Sequence, residues 1–223
     1  MLRKLANGWH SGSLAARLRQ KRFAYFLSLL EQIPDPVDIL DIGGQENYWK
    51  IVGTGHPKIR SITLLNLWAE PISLPKLKSV SGDARNLSAY ADQSVDVIFS
   101  NSVIEHVGGL REQQRMAREI QRVGKRYVIQ TPNRFFPLEP HFLVPFFQFF
   151  PLWLRAFLHH RLTLGWWRKQ SDYFEALAEV ESIRLLNRQE LAYLFPSSTL
   201  ITEKLAGLTK SLIVTKGWPA PPV

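Results

Sequence analysis

The chain of 223 residues contains no cysteine. Disulfides, thiol nucleophiles and thiolate metal sites are therefore excluded, and a reducing compartment is the expected setting. Acidic residues are in deficit, 19 against 28 basic ones, for a formal charge of +9 and a pI of about 9.9. Such a balance favours anionic surroundings: nucleic acid, phosphorylated substrates or an acidic membrane. Long apolar runs are missing too. The stretch between His141 and Arg155 falls short of the roughly 20 residues that a membrane-spanning helix needs, and Pro137, Pro140, Pro145 and Pro151 preclude one long helix there. The N-terminal "MLRKLANGWHSGSLAARLRQKRFAYFLSLL" has basic residues but no uninterrupted apolar core before a small-residue cleavage site. It reads as mature protein rather than a signal peptide. No internal repeat and no low-complexity segment interrupts the chain.

What is present is core-forming material: 45% of residues are hydrophobic and 12% aromatic, enough for one larger domain. Apolar positions Leu14, Leu18, Phe23, Phe26, Leu27 and Leu30 predict a helix over 13–32, ahead of the "PDP" break at 34–36. Strands are predicted at "VDILDI" (37–42), "RSITLLNL" (60–67), "LKSVSGDA" (77–84), the start of "SVDVIFSNSVIEHV" (94–107) and "KRYVIQTPN" (125–133). Helices are predicted to begin at 46 and to span 110–123. In the tail, "SIRLLNRQELAYLFP" and "LITEKLAGLTKSLIVTKG" predict a strand, a helix starting near Asn187, and a hairpin with Gly207 near its turn. The closing "WPAPPV" reads as a loose end. Strands alternating with helices imply right-handed crossovers. The expected fold class is α/β: a Rossmann-like, doubly wound, mostly parallel sheet with an antiparallel edge hairpin and an aromatic insertion after the fifth strand. We expect a single domain: a helical segment to residue 36, a core over 37–133, the insertion over 134–180 and the rest of the sheet over 181–223.

In such sheets ligands bind at the carboxyl ends of the strands. Asp41, Gly43, Gly44, Asn66, Asp83 and Ala84, Asn101 and Ser102, and Thr131 to Asn133 fall there in chain order. A nucleoside-type cofactor needs a glycine after the first strand for close backbone approach. It also needs a polar side chain after the second for ribose, and a polar side chain with apolar neighbours after the third for a base. Contacts from the fourth-strand loop complete the set. These residues fill those posts.

With those motifs in place, "ILDIGG", "ITLLNL", "SGDARNL", "VDVIFSNSVIEHV" and "YVIQTPN" resemble the class I S-adenosylmethionine-dependent methyltransferases, in particular the type 11 methyltransferase-domain group. The resemblance covers about 37–133. "TPNRFFPLEPHFLVPF" and "LFP…GLTKSLIV" are similar to extensions in a bacterial branch of that group with mostly unassigned substrates. The group's first motif runs acid-x-Gly-x-Gly-x-Gly; here only Gly43 matches, with Gln45 and Asn47 at the later glycine positions and Gly44 supplying conformational freedom one residue early. Trp49 is expected to pack beneath the turn or against the cofactor. Asn66 stands where the group often has an acid, and keeps one acceptor for ribose. The resemblance implies S-adenosylmethionine as cofactor and methyl transfer to an acceptor, with cofactor contacts at Asp41, Gly43, Gly44, Asn66, Asp83, Ala84, Asn101 and Ser102.

Where the acceptor must lose a proton a base is needed, and His141, His106 and Glu139 are the candidates, with His141 placed best by "LEPH" after the fifth strand. Glu105 and His106 could equally cap a helix or bond the loop, and Glu139 and His141 could be structural. No metal site is expected, because His159 and His160 are adjacent and cannot share a helix face. The insertion, with Phe146, Phe147, Phe149, Phe150, Trp153, Phe157, Trp166 and Trp167 beside Arg155, Arg161, Arg168 and Lys169, is either cover packed over the sheet or an interfacial segment. The expected function is methyl transfer to a small-molecule, glycan or lipid-linked acceptor, in the cytoplasm and peripheral to the inner face of an anionic membrane. The alternatives are a non-catalytic binding or membrane-associated protein on a degenerate scaffold and, third, an RNA methyltransferase. Nucleic acid is not the expected partner, because the basic residues are scattered and no RNA-binding module is apparent.

Overall fold

The structure, a computed structural model, describes residues 13–219. The first twelve residues of the N-terminal stretch read above as mature protein, and the end of "WPAPPV", lie outside them. Helix α1 (Leu14–Leu30) starts at Ser13, whose hydroxyl accepts the Ala16 N–H at 3.0 Å, a cap worth about 1 kcal/mol. It buries Phe23, Phe26, Leu29 and Leu30 and ends ahead of Pro34 and Pro36, whose rings cannot continue a helix.

Seven strands form one sheet: β1 (Val37–Ile42), β2 (Ile59–Asn66), β3 (Leu77–Ser81), β4 (Val97–Asn101), β5 (Tyr127–Pro132), β6 (Thr199–Leu205) and β7 (Leu208–Lys216), in the order β3-β2-β1-β4-β5-β7-β6. The first five in that order pair in parallel, and β7 runs antiparallel to both neighbours. The β6–β7 hairpin turns through Ala206 and Gly207, both with positive φ (49° and 80°), the requirement that puts glycine in such turns.

Period-2 alternation sends the strand side chains to two cores. Leu40, Ile42, Ile98 and Ile129 meet Met116, Ala117, Ile120 and Val123 of α3 (Leu110–Val123). Ile39, Val97, Phe99 and Val128 meet α1 and the short α2 (Glu46–Val52); Phe26 lies 4.9 Å from Phe99, centroid to centroid. The chain moves outward from β1 through β2 to β3, then returns to place β4 on the other side of β1. The switch point for ligand binding therefore lies at the carboxyl ends of β1 and β4.

The insertion forms its own small core. Helices α4 (Leu152–Arg161) and α5 (Tyr173–Glu181) pack with Phe142, Phe147, Ile183 and Leu185. The strand expected at "SIRLL" does not form. That segment runs as extended cover with one bridge, Asn133 to Leu186, because its backbone bonds go to the 3-10 turn and to Arg134 rather than to a ladder: Arg184 N–H reaches the Glu105 carbonyl at 2.8 Å. Helix α6 (Arg188–Leu194) follows, with Asn187 and Glu190 closing a reciprocal cap. Trp218 departs from the expected loose end: it packs on the sheet core, and its indole N–H donates to the Tyr127 carbonyl at 3.1 Å. Among the described residues, no helix is long and apolar enough to cross a membrane.

Candidate active site

β1 ends in Asp41-Ile42, and alternation turns Asp41 toward α2. There the Trp49 indole N–H donates to the Asp41 carboxylate at 2.7 Å. Trp49 is wholly buried, so it packs beneath the turn and not against a ligand. Burial raises the Asp41 carboxyl to about 7, partly offset by that hydrogen bond.

Gly43 has φ 72°, the left-handed region, and a Cβ there would stand 2.3 Å from Val103 Cγ2. Gly44 is required for a different reason than the freedom expected of it. Its φ is not positive, but a Cβ would fall 2.1 Å from the Asp41 carboxylate. Gln45 has ordinary extended backbone (φ −122°) and leads into α2. The later glycines are thus dispensable here.

Two clefts flank Gly43. The first, about 330 Å³, is walled by Ile42, Leu65, Leu67, Ala84, Val103 and Val107, with Asn66, Asp83, Arg85 and His106 supplying its polar groups. The Asn66 side-chain amide donates to the Gly44 carbonyl at 2.8 Å, which ties the ends of β1 and β2 together. Asp83 accepts from Arg85 through Nε (2.9 and 3.0 Å) and Nη2 (2.7 Å). Those bonds hold its carboxyl below the usual range.

The second cleft, about 270 Å³, is polar. Arg19 and Arg22 of α1 face Asp41, Gly43, Gly44, Gln45, Asn101 and Ser102 across it. Ser102 sits at φ 59°, and its hydroxyl donates to Gln130 Oε1 at 2.9 Å. Sequence reasoning did not single out either arginine. Their signal, two cations three apart on the helix preceding β1, looks like an ordinary solvated face.

At the mouth of the first cleft the structure brings the base candidates together. His106, from a 3-10 turn (Ile104–His106), places Nε2 3.1 Å from His141 Nε2. His141 Nδ1 lies 2.7 Å from Glu139 Oε1. The other Glu139 oxygen accepts the backbone N–H groups of His141 (2.8 Å) and Phe142 (2.6 Å). Burial opposes protonation of His141, but the hydrogen bond and charge of Glu139, with the charge of Glu105, outweigh it and hold the imidazole above its ordinary value. His106 is held below its own, first by loss of water around the crowded ring and then by His141. Glu105 does not cap α3, whose N-cap is Gly109. It is buried beside the histidine pair, accepting from the Thr131 hydroxyl at 2.9 Å.

His159 and His160, adjacent in the sequence, do not form a metal pair. These engage separately, with Glu179 and with the Gln170 carbonyl. The ligand atoms of Glu105, His106 and His141, by contrast, all lie within 4.8 Å of one another.

Behind Glu139, a third cavity of about 200 Å³ is lined by Arg134, Arg155 and Arg184 together with Phe142 and Phe147. The insertion's aromatic residues divide. Phe147 is buried and Phe150 and Trp167 pack on the small core, whereas Phe146, Phe149, Trp153, Phe157 and Trp166 are exposed.

The strand order, the turn at Gly43 and the clefts beside it define the class I methyltransferase fold. Residues 50–127 match the family described as Methyltransferase domain, a span that begins in α2 and runs through β2, β3, β4 and α3 to the start of β5. No curated protein matches the chain significantly in sequence. Among solved structures it is similar to the CurJ carbon methyltransferase, with TM-score 0.59 and 12% identity over 94% of this chain and 57% of that one. It is also similar to a possible exported protein from Bordetella parapertussis (TM-score 0.55, 13% identity, 91% of this chain and 68% of that one). The methyltransferase domain of bacterial CtHen1-CN aligns at TM-score 0.51 and 12% identity, over 89% of this chain and 98% of the domain. At these identities the likeness is one of fold, and the chain spans just over half of the carbon methyltransferase.

Proteins with the matched domain typically use S-adenosylmethionine, and the residues present fit it. The apolar cleft suits a flat base, with Asn66 and Asp83 at its edge. The polar cleft sets cationic Arg19 and Arg22 and the Asp41 carboxyl around a space suited to an amino-acid zwitterion. The close approach at Gly43 leaves no room for a side chain between them.

Proposed function

We propose that the protein transfers a methyl group from S-adenosylmethionine to an acceptor carrying negative charge. One observation supports this most: two chemically distinct clefts meet at Gly43 and open beside the Glu139–His141–His106 chain. When bound, S-adenosylmethionine supplies a sulfonium methyl carbon open to in-line attack, the carbon–sulfur electron pair staying with sulfur. Asn66 offers its side-chain carbonyl to ribose hydroxyls, Leu65, Leu67 and Ala84 hold the base, and Asp83 accepts from its amino group. Arg19 and Arg22 bind the carboxylate, while Asp41 attracts the ammonium. His141, its Nδ1 held by Glu139, presents Nε2 toward His106 and can take the acceptor's proton directly or through His106. The Arg134–Arg155–Arg184 cavity behind Glu139 suits a phosphate or carboxylate on the acceptor, including a lipid-linked one.

Calorimetric titration with S-adenosylmethionine and S-adenosylhomocysteine tests the reading. Micromolar binding is expected, weakened in Asp83→Ala. Folded protein that binds neither ligand would hand the site to a non-catalytic role. A second reading concerns location. The exposed aromatic residues of the insertion, with exposed Arg161, Arg168 and Lys169, support peripheral contact with an anionic membrane.

A further inference from the structure

We propose that Glu105, His106 and His141 bind a first-row divalent metal ion at the mouth of the apolar cleft. A buried group there has an incomplete set of partners. Glu105 is wholly buried, and only one of its side-chain oxygens is satisfied, by the Thr131 hydroxyl at 2.9 Å. The other, Oε1, has no hydrogen-bond partner among the described residues. A buried carboxylate oxygen left that way is a standing penalty that a cation would relieve.

The histidines supply the rest of the geometry. Their Nε2 atoms face one another at 3.1 Å. Two nitrogens bound to one ion at about 2.1 Å each stand roughly 3.0–3.4 Å apart in octahedral or tetrahedral coordination. The pair is therefore already at the spacing of neighbouring ligands. Including the Glu105 carboxylate, the ligand atoms all lie within 4.8 Å, a gap that side-chain torsions of Glu105 can close. Outside this shell, Glu139 holds His141 Nδ1 at 2.7 Å and is itself pinned by the backbone N–H groups of His141 and Phe142. A carboxylate behind a ligating imidazole fixes the ring and leaves its Nε2 lone pair free for metal. Glu139 is a positioning residue in this account.

Two imidazoles and one carboxylate suit zinc, manganese, iron or cobalt rather than an all-oxygen ion such as calcium. His106 lines the cleft, so coordination positions left open there face the space where an acceptor oxygen would approach. With an ion bound, both Nε2 lone pairs are engaged, so the open coordination positions take over from His141 in activating the acceptor; only that role rests on the methyl-transfer reading. Binding of the ion itself does not.

The test uses the full chain, stripped with chelator and titrated with zinc, manganese or cobalt(II) alone. One equivalent is expected to bind, cobalt(II) developing visible absorption bands. Glu105→Gln and the double variant His106→Ala/His141→Ala should each weaken binding at least a hundredfold. Glu139→Gln should weaken it roughly ten- to a hundredfold, as changes behind a ligand do. His56→Ala, a half-buried histidine paired with Glu31 and remote in sequence from these ligands, should leave it unchanged. Should a variant fail to fold, imidazole NMR signals of the unaltered protein give the same answer: titration with zinc must shift those of His106 and His141. No binding of any of the three ions by folded protein, or equal binding by the double variant, overturns the proposal whether or not the methyl donor binds.

Discussion

Trp49 donates its indole N–H to the Asp41 carboxylate across 2.7 Å, beneath the turn that closes β1. The contact gives Asp41 a partner but no counter-charge, and burial raises its carboxyl from 3.8 to about 7. A carboxyl with a raised folded-state pKa binds its proton more tightly folded than unfolded. Its contribution is complete below about pH 4 and is lost as pH rises through about 7. Between those limits the protein should lose stability relative to Asp41→Asn, whose amide oxygen still accepts from Trp49. The difference should be a few kcal/mol, at about 1.4 kcal/mol per pKa unit. Thermal unfolding of both proteins from pH 4 to pH 9 measures it, and parallel profiles would refute the assignment.

Gly43 and Val103 fix how closely the β1 turn approaches the loop after β4. A Cβ at residue 43 meets Val103 Cγ2 at 2.3 Å, and φ is 72°. Gly43→Ala should therefore destabilise by roughly 2–5 kcal/mol, combining backbone strain with overpacking. In a Val103→Ala background the collision eases to a 3.2 Å contact with Cβ and the strain remains, so the glycine substitution should cost less. Denaturant melts of the four proteins of this cycle give the coupling. Additive effects would mean that the loop yields freely and the contact does not set the turn.

Arg85 occupies the Asp83 carboxylate with bidentate contacts on a partly exposed surface. Such a pair adds at most about 1 kcal/mol to stability, so Arg85→Ala should barely move the melting temperature. The same change frees Asp83 for a ligand's amino group. Affinity for S-adenosylmethionine should rise in Arg85→Ala and fall about tenfold in Asp83→Ala. Equal weakening by both would instead give Arg85 a direct role in binding.

Much of the fold was legible because its signals are local. "VDILDI" and "LREQQRMAREIQRV" carry strand and helix signals within themselves, and β1 and α3 form on those residues. "SIRLL" misled because its apolar pattern serves a cover segment bonded to Glu105 and Arg134 and not a ladder. The strand-end residues were readable because strands alternating with helices imply parallel order, which puts the carboxyl ends of β1 to β5 on one edge. Arg19 and Arg22 were not, since only the packing of α1 over β1 turns them toward Asp41. The Glu105–His106–His141 grouping likewise depends on the insertion folding back 35 residues to bring the histidines together, which no spacing rule encodes.

The exposed aromatic residues of the insertion make the last prediction. Phe149 stacks on Phe135 with centroids 6.0 Å apart. Trp153, 62% exposed, and Phe157, 45% exposed, share a face of α4 by their four-residue spacing. The Arg161 guanidinium lies 5.7 Å from the Phe157 ring centre. Rings left in water beside cations match the composition of interfacial segments, where rings enter the headgroup region and cations meet anionic lipid. Co-sedimentation should be strong with phosphatidylserine-containing vesicles, weak with neutral ones, and reduced at high salt. Trp153→Ala/Phe157→Ala should keep the fold, because neither side chain belongs to the buried core, and should lose most of the binding. Failure to pellet even with strongly acidic vesicles would leave these residues as a surface for something other than lipid.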